Sequence, residues 1–183
     1  MKDSKIKIFP VGETEPGLRK TLPDWFQQEF GTTGFTWAAP AYYAISEIGD
    51  ELIGRLGIFD REIEIADTSM RVGGIGGVIT KPEWRQRGIA RELLTRAAAF
   101  MGSELGVEFA ILLCRREVAP VYAKLGWIRV DGPTVFMQPS GMATYPRDTM
   151  VLRFTERQWP PGRIDMRGLP WYGPWPDVAV KAR

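Results

Sequence analysis

Apolar and polar positions alternate from Lys5 to Val11 with the two-residue period of a strand, and from Glu15 to Phe30 the spacing of Leu18, Leu22, Phe26 and Phe30 becomes that of a helix interrupted by Pro23. Tyr42 to Ile48 and Leu52 to Ile65 read as strands joined at Gly49-Asp50 into a hairpin. After a turn at Asp67-Thr68-Ser69, Met70 to Thr80 forms an apolar strand with little side-chain bulk, because it contains Gly73, Gly74, Gly76 and Gly77. Arg87 to Leu105 carries Ile89, Leu93, Leu94, Ala97, Ala98, Met101 and Leu105 near a 3.6-residue period, with Gly106 as the stop, and is the clearest helix. Val107 to Cys114 is a buried strand, Val118 to Leu125 a short helix ended by Gly126, and Trp127 to Val130 another strand. A loop with Pro133, Pro139, Gly141 and Pro146 spans Asp131 to Arg147 before a last strand, Thr149 to Phe154. A helix between strands implies a crossover unit, so the fold class is α/β with helices flanking a mixed sheet.

Glu156 to Arg183 is rich in proline and tryptophan, including Trp159, Trp171 and Trp175, and regular structure is not expected there. Three tryptophans are unfavourable to leave in water, so the tail is expected to pack over the substrate side of one domain spanning residues 1–183.

Composition narrows the chemistry. The 183 residues contain no histidine and a single cysteine, Cys114, which removes Ser-His-Asp and Cys-His schemes, the commonest metal ligand, paired-cysteine zinc sites and disulfides together. No metal site is expected. Lys and Arg number 24 against 22 Asp and Glu, a formal +2 too mild and dispersed to indicate nucleic acid. No stretch approaches the roughly 18 apolar residues of a membrane span, and the first residues lack an apolar leader core, so the expectation is a cytoplasmic protein. Antiparallel strand edges near the C-terminus would allow a homodimer.

One segment combines strand, basic turn and helix start: residues 77–90, with Arg85-Gln86-Arg87-Gly88-Ile89-Ala90 at its end. Free N–H groups and the positive dipole of a helix start favour phosphate oxygens, Gly88 lets backbone approach, and Arg85 and Arg87 add charge. A strand-to-helix turn with solvated arginines would look similar but would need no particular order. Gly74-Ile75-Gly76 is not a dinucleotide fingerprint, since the third glycine is missing at the required offset and no helix opens there.

The ordered run Arg85 to Ala90 resembles the (Gln/Arg)-x-x-Gly-x-(Gly/Ala) signature of GNAT acyl-CoA-dependent N-acetyltransferases, and the segment Tyr122 to Trp127 (Tyr-Ala-Lys-Leu-Gly-Trp) follows at the expected place. The resemblance implies a GNAT fold, mostly antiparallel, and acetyl-CoA as co-substrate. It places the coenzyme diphosphate on Arg85, Gln86, Arg87, Gly88, Ile89 and Ala90, and the pantetheine arm beside Val78, Ile79 and Thr80. It also assigns Tyr122 as general acid, a phenol of ordinary pKa near 10 facing a thiolate whose conjugate acid is near 8.5. Backbone N–H groups around Val78 are the oxyanion donors it suggests. The sequence departs from the family at Gly76, where a glutamate base is expected; Asp165, acting through water, is the substitute candidate.

Residues 82–85, 122–127, 132–134, 139–141 and 165–168 are similar to stretches of the aminoglycoside 2'-N-acetyltransferases. That resemblance implies an aminoglycoside-like amine as substrate and antibiotic resistance as outcome. With Gly76 for the glutamate and Thr36 at a position expected to be acidic, a kasugamycin-type substrate bearing its own carboxyl group suits the charge better than a polycation. Trp37, Gly76 and Trp171 are candidate substrate contacts. Trp37, Trp171, Tyr42 and Tyr43 are each either sugar-stacking walls or core. Cys114 reads as a structural thiol, because no base accompanies it to support an acyl-cysteine route. Arg115 and Arg116 are either phosphate ligands or solvated. Rival readings are transfer to another small amine or peptide, and an acyl-CoA-binding module without catalysis.

Overall fold

The computed structural model describes residues 4–30 and 36–171. Ten strands, β1 (Lys5–Pro10), β2 (Tyr42–Ile48), β3 (Glu51–Ile65), β4 (Thr68–Thr80), β5 (Phe109–Cys114), β6 (Ile128–Val130), β7 (Thr134–Gln138), β8 (Gly141–Thr144), β9 (Asp148–Arg153) and β10 (Ile164–Asp165), form one mixed sheet. Three helices accompany them: α1 (Pro16–Phe30), α2 (Ile89–Ser103) and α3 (Ala119–Ala123). The main strand order is β6-β9-β5-β4-β3-β10-β7-β8, with β1 and β2 extending from the first half of β3. Only β4–β5 and β10–β7 are parallel. The GNAT expectation of a mostly antiparallel mixed sheet with flanking helices therefore describes the molecule.

Pro23 sits inside α1 without ending it. The expected loop between Asp131 and Arg147 is instead the hairpin β7–β8, in which Gln138 pairs with Gly141 across the Pro139-Ser140 turn. The proline and glycine signals mark the ends and the turn of this hairpin, while Thr134, Val135 and Phe136 are buried. The tail also forms regular structure: β10 lies between β3 and β7, and the ladder runs on as Met166 N–H donates to Val135 O and Met137 N–H to Gly168 O. Arg61 clamps the same segment, donating to the carbonyls of Met166, Arg167 and Leu169. The portion after Trp171, with Trp175, lies outside the described residues.

The glycines of β4 have a packing role on both faces. On one face α2 lays Leu93, Ala97 and Met101 against Ile53, Leu56 and Ile75. On the other, Trp171 is buried, stacks on Phe59 with ring centres 5.6 Å apart, and occupies the space above Gly74. A Cβ on Gly74 would come within 2.5 Å of the Trp171 ring. Trp159 packs edge-on against Phe109 beside the same cluster.

Gly74→Ala is therefore expected to lower stability by about 1–3 kcal/mol through overpacking. In a domain of this size that is a melting-temperature drop of roughly 2–4 °C per kcal/mol. A calorimetric melt checks it, and an unchanged melting temperature would mean that Trp171 does not press on β4.

Candidate active site

Strands β4 and β5 pair in parallel only from Gly73–Ala110 to Ile75–Leu112. Beyond that point they part. On its other edge β4 is bulged: Gly57 faces Gly76 while Arg55 faces Ile79, so Gly77 and Val78 are pushed out of register. Gly77 adopts φ +61, where a side chain would be strained. A bulge beside a diverging strand leaves backbone N–H groups turned away from the ladder.

A cavity of about 640 Å³, counted out to its mouth, opens in this fork. Ile75, Gly76, Gly77 and Val78 line it from β4 and Leu112 to Arg115 from the end of β5, and Tyr122 on α3 and Glu29 on α1 also line it. Tyr122 packs against the core that holds α2, while Phe26 of α1 lies at the opposite face beside Gly77, so the cavity crosses the sheet.

Burial of the Tyr122 phenol, and after it the neighbouring Cys114, pushes its pKa well above the ordinary phenol value. Tyr122 therefore stays protonated throughout neutral pH. It is a weaker acid than a solvated phenol, suited to a proton released only as negative charge gathers beside it. Cys114 is buried, and desolvation first, with Asp148 and Glu117 adding to it, pushes its thiol up to about 12. It is not a nucleophile in this state. Arg115 also lines the cavity, and its Nε is buried without a hydrogen-bond partner among the described residues.

Downstream of the fork, Lys81 N–H donates to Ile53 O and a single 3-10 turn, Pro82–Trp84, leads into the basic loop. Gln86 and Gly88 both have positive φ, and Gly88 at φ 84 is the N-cap of α2 with no side-chain cap. The first-turn N–H groups of α2 thus face outward without a capping side chain, and a Cβ on Gly88 would meet only the Arg91 guanidinium at 3.7 Å. Arg87 stacks over Trp84 at 4.9 Å, and Arg85 donates through Nε to Thr80 O. This cradle fits a diphosphate on both geometry and charge.

Residues 27–130 match a family model described as an acetyltransferase (GNAT) domain. The chain belongs to the GNAT acetyltransferase family. It is an N-acetyltransferase that uses acetyl-CoA. Among curated proteins this GNAT acetyltransferase is similar to an aminoglycoside 2'-N-acetyltransferase from Mycolicibacterium fortuitum, 24% identical over 136 residues, which is 74% of this chain and 69% of that protein. Among solved structures it is similar to Escherichia coli ElaA, with a TM-score of 0.61, 12% identity and coverage of 82% of this chain and 100% of that one. It is also similar to the GNAT-family N-acetyltransferase YhbS from Escherichia coli in complex with CoA, with a TM-score of 0.59, 14% identity and coverage of 93% and 96%. At these identities the two structures speak for the fold.

Of the residues singled out in the GNAT sequence, Tyr122, Gly76 and Val78 meet in the cavity, and Arg85, Gln86, Arg87, Gly88, Ile89 and Ala90 form the adjoining loop and helix start. The side chain of Ile79 is buried in the core, so only its backbone can face a ligand; Thr80 follows it, half-buried. Trp37 is half-buried beside the Trp171 cluster.

Four candidates are placed elsewhere. Asp165 pairs opposite Glu64, whereas Gly57 is opposite Gly76. The stretch of β3 between those two positions is roughly 23 Å at a strand's rise per residue, too far for a catalytic base. The Asp165 carboxylate instead accepts from the Arg167 N–H and from Arg163. Trp171 is a core plug over Gly74, only 1% exposed, and not an open sugar wall. Tyr42 packs edge-on against Phe100, and Tyr43 lies under Arg55. Sequence reasoning missed Glu29, which lines the cavity from a helix that carries no recognised motif.

Because its thiol is held near 12, Cys114 is expected to react with iodoacetamide at pH 8.5 roughly 10³-fold more slowly than a free cysteine, and at the normal rate once unfolded. Mass-spectrometric labelling checks this; fast labelling of the folded protein would restore Cys114 as a candidate nucleophile.

Proposed function

We propose that this N-acetyltransferase moves the acetyl group of acetyl-CoA onto an amino group of an aminoglycoside-type sugar by direct amine attack, with Tyr122 as general acid. The observation that carries the mechanism is the cavity in the β4–β5 fork, which is lined by Tyr122, protonated and with its phenol desolvated, and by the Gly77–Val78 bulge. Arg85, Arg87 and the first-turn N–H groups of α2 bind the coenzyme diphosphate, and the backbone at Val78 and Ile79 aligns the pantetheine arm in the fork. An N–H freed by the bulge near Val78 stabilises the oxygen of the tetrahedral intermediate. Tyr122 then gives its proton to the departing sulfur. The high pKa of Cys114 favours this direct route over an acyl-cysteine.

The aminoglycoside reading is supported by the similarity to the Mycolicibacterium fortuitum enzyme. Within the class, charge favours a kasugamycin-type acceptor: Arg115 borders the cavity, and its Glu29 carboxylate is already paired with Arg85 at 2.7 Å. An acceptor bearing its own carboxyl group would meet Arg115, whereas a polycation would find little net negative charge. Thr36 and the buried Gln138 exchange two hydrogen bonds, and Ala38 N–H donates to Pro170 O, which fixes the segment carrying Trp37.

Thiol release from acetyl-CoA across kasugamycin-type, kanamycin-type and gentamicin-type drugs, polyamines and peptides tests the substrate class. Turnover is expected with kasugamycin and little with the polycations; turnover on polyamines or peptides alone would remove the aminoglycoside assignment. Tyr122→Phe is expected to lower kcat by about 10² while leaving acetyl-CoA affinity within about twofold, read by steady-state kinetics and calorimetry. An unaltered kcat would take Tyr122 out of the mechanism.

A further inference from the structure

β4 offers no carboxylate at the fork, since Gly76 and Gly77 stand there, yet the cavity does contain one. It comes from another element: Glu29, in the last turn of α1, lines the same cavity as Tyr122. The position of α1 is firm at this point. Leu22 and Phe26 are buried, and the Leu22 carbonyl accepts from the buried guanidinium of Arg55, which also lies beneath the Phe26 ring. The carboxylate itself is held by Arg85, whose terminal nitrogen donates to Glu29 Oε1 at 2.7 Å while its Nε donates to Thr80 O. Among the described residues no hydrogen bond reaches Oε2, and the side chain is about one-third exposed. A carboxylate fixed through one oxygen and open at the other, at the rim of a cavity, suits an ammonium group.

We propose that Glu29 is the carboxylate that receives the acceptor's ammonium and takes its proton, with Arg85 as the residue that positions it. The inference rests on the acetyl-transfer reading of the same cavity. Glu29 takes one proton from the bound ammonium and passes it to solvent. The freed nitrogen lone pair forms the C–N bond to the thioester carbonyl carbon, whose C=O electron pair moves onto oxygen. As that C=O re-forms, the C–S bond breaks and the sulfur takes the Tyr122 proton. The surplus proton on nitrogen goes to the Glu29 carboxylate and returns through water to the Tyr122 phenolate, so the net release is one proton per acetyl transferred.

The arrangement also gives Arg85 two neighbours on one path. It belongs to the loop that binds the diphosphate and it grips the carboxylate that binds the amine.

The test uses the full chain with Glu29→Gln and Glu29→Asp, and an acceptor amine that the wild type turns over. Glu29→Gln is expected to lower kcat/KM for the amine by about 30-fold or more, with acetyl-CoA affinity by calorimetry within about threefold. Its log kcat/KM should climb with unit slope up to the acceptor's own pKa, because the amine must then arrive already neutral, and Glu29→Asp should recover part of the loss. Calorimetry of the amine with the non-reactive CoA complex should show binding to the wild type weakened at least fivefold by Glu29→Gln. Wild-type kinetics and pH profile in Glu29→Gln would overturn the proposal alone. So would a loss of acetyl-CoA affinity that accounts for the whole defect, since Glu29 would then serve only to hold Arg85. A wild type that binds acetyl-CoA yet releases no thiol with any amine would overturn the acetyl-transfer reading, and this inference with it.

Discussion

The site depends on the failure of two parallel strands to stay together. Parallel ladders continue while each residue finds its partner, and here the partnership of β4 with β5 ends at Ile75 and Leu112 because β4 bulges at Gly77 on its opposite edge. A hole through the middle of a sheet would normally strand backbone polar groups. In the proposed reading those groups are left free to meet the amides of the coenzyme's pantetheine arm. The glycines that permit the bulge also explain why this strand supplies no carboxylate, so the acidic group at the cavity has to come from another element.

Burial governs the chemistry of the fork more than charge does. Desolvation is the first cause of the raised pKa at Cys114 and Tyr122, which line the cavity, and at Tyr145 in the neighbouring cluster. All three keep their protons through neutral pH, so Cys114 and Tyr122 face the cavity as neutral groups with a proton to donate. The charged pair Arg85–Glu29 is partly exposed, where water screens it, whereas Arg115 is half-buried with its Nε out of solvent.

The order from β4 through α2 and β5 to α3 was legible because α2 has a long uniform period, Gly106 and Gly126 stop the two helices, and β4 and β5 are apolar runs on either side of α2; β2 matches its expected bounds, Tyr42–Ile48. The basic loop was legible because its residues are contiguous. What could not be read locally was everything set by non-local pairing. The β7–β8 hairpin carries the prolines that usually mark a loop, and β10 is a strand only because β3 and β7 flank it. Asp165 was drawn into the site by resemblance, but the topology puts it at the far end of β3, and the Glu29–Arg85 pair joins residues from α1 and the α2 loop that no motif links.

The insertion of β10 between β3 and β7 bears on how the chain reaches this state. The half of β3 that carries Phe59, Ile63 and Ile65 has as its inner neighbours Ile164, Met166 and Trp171, which are synthesised about a hundred residues later at ribosomal rates of roughly 5–20 residues per second. Until they arrive, an apolar sheet face and an unpaired strand edge stand open in the nascent chain, a liability in sequence-distant pairings of this kind. The Arg61 clamp on the carbonyls of Met166, Arg167 and Leu169 fastens that late segment to β3. Arg61 is thus a half-buried charged side chain whose three carbonyl partners all come from residues made about a hundred positions after it.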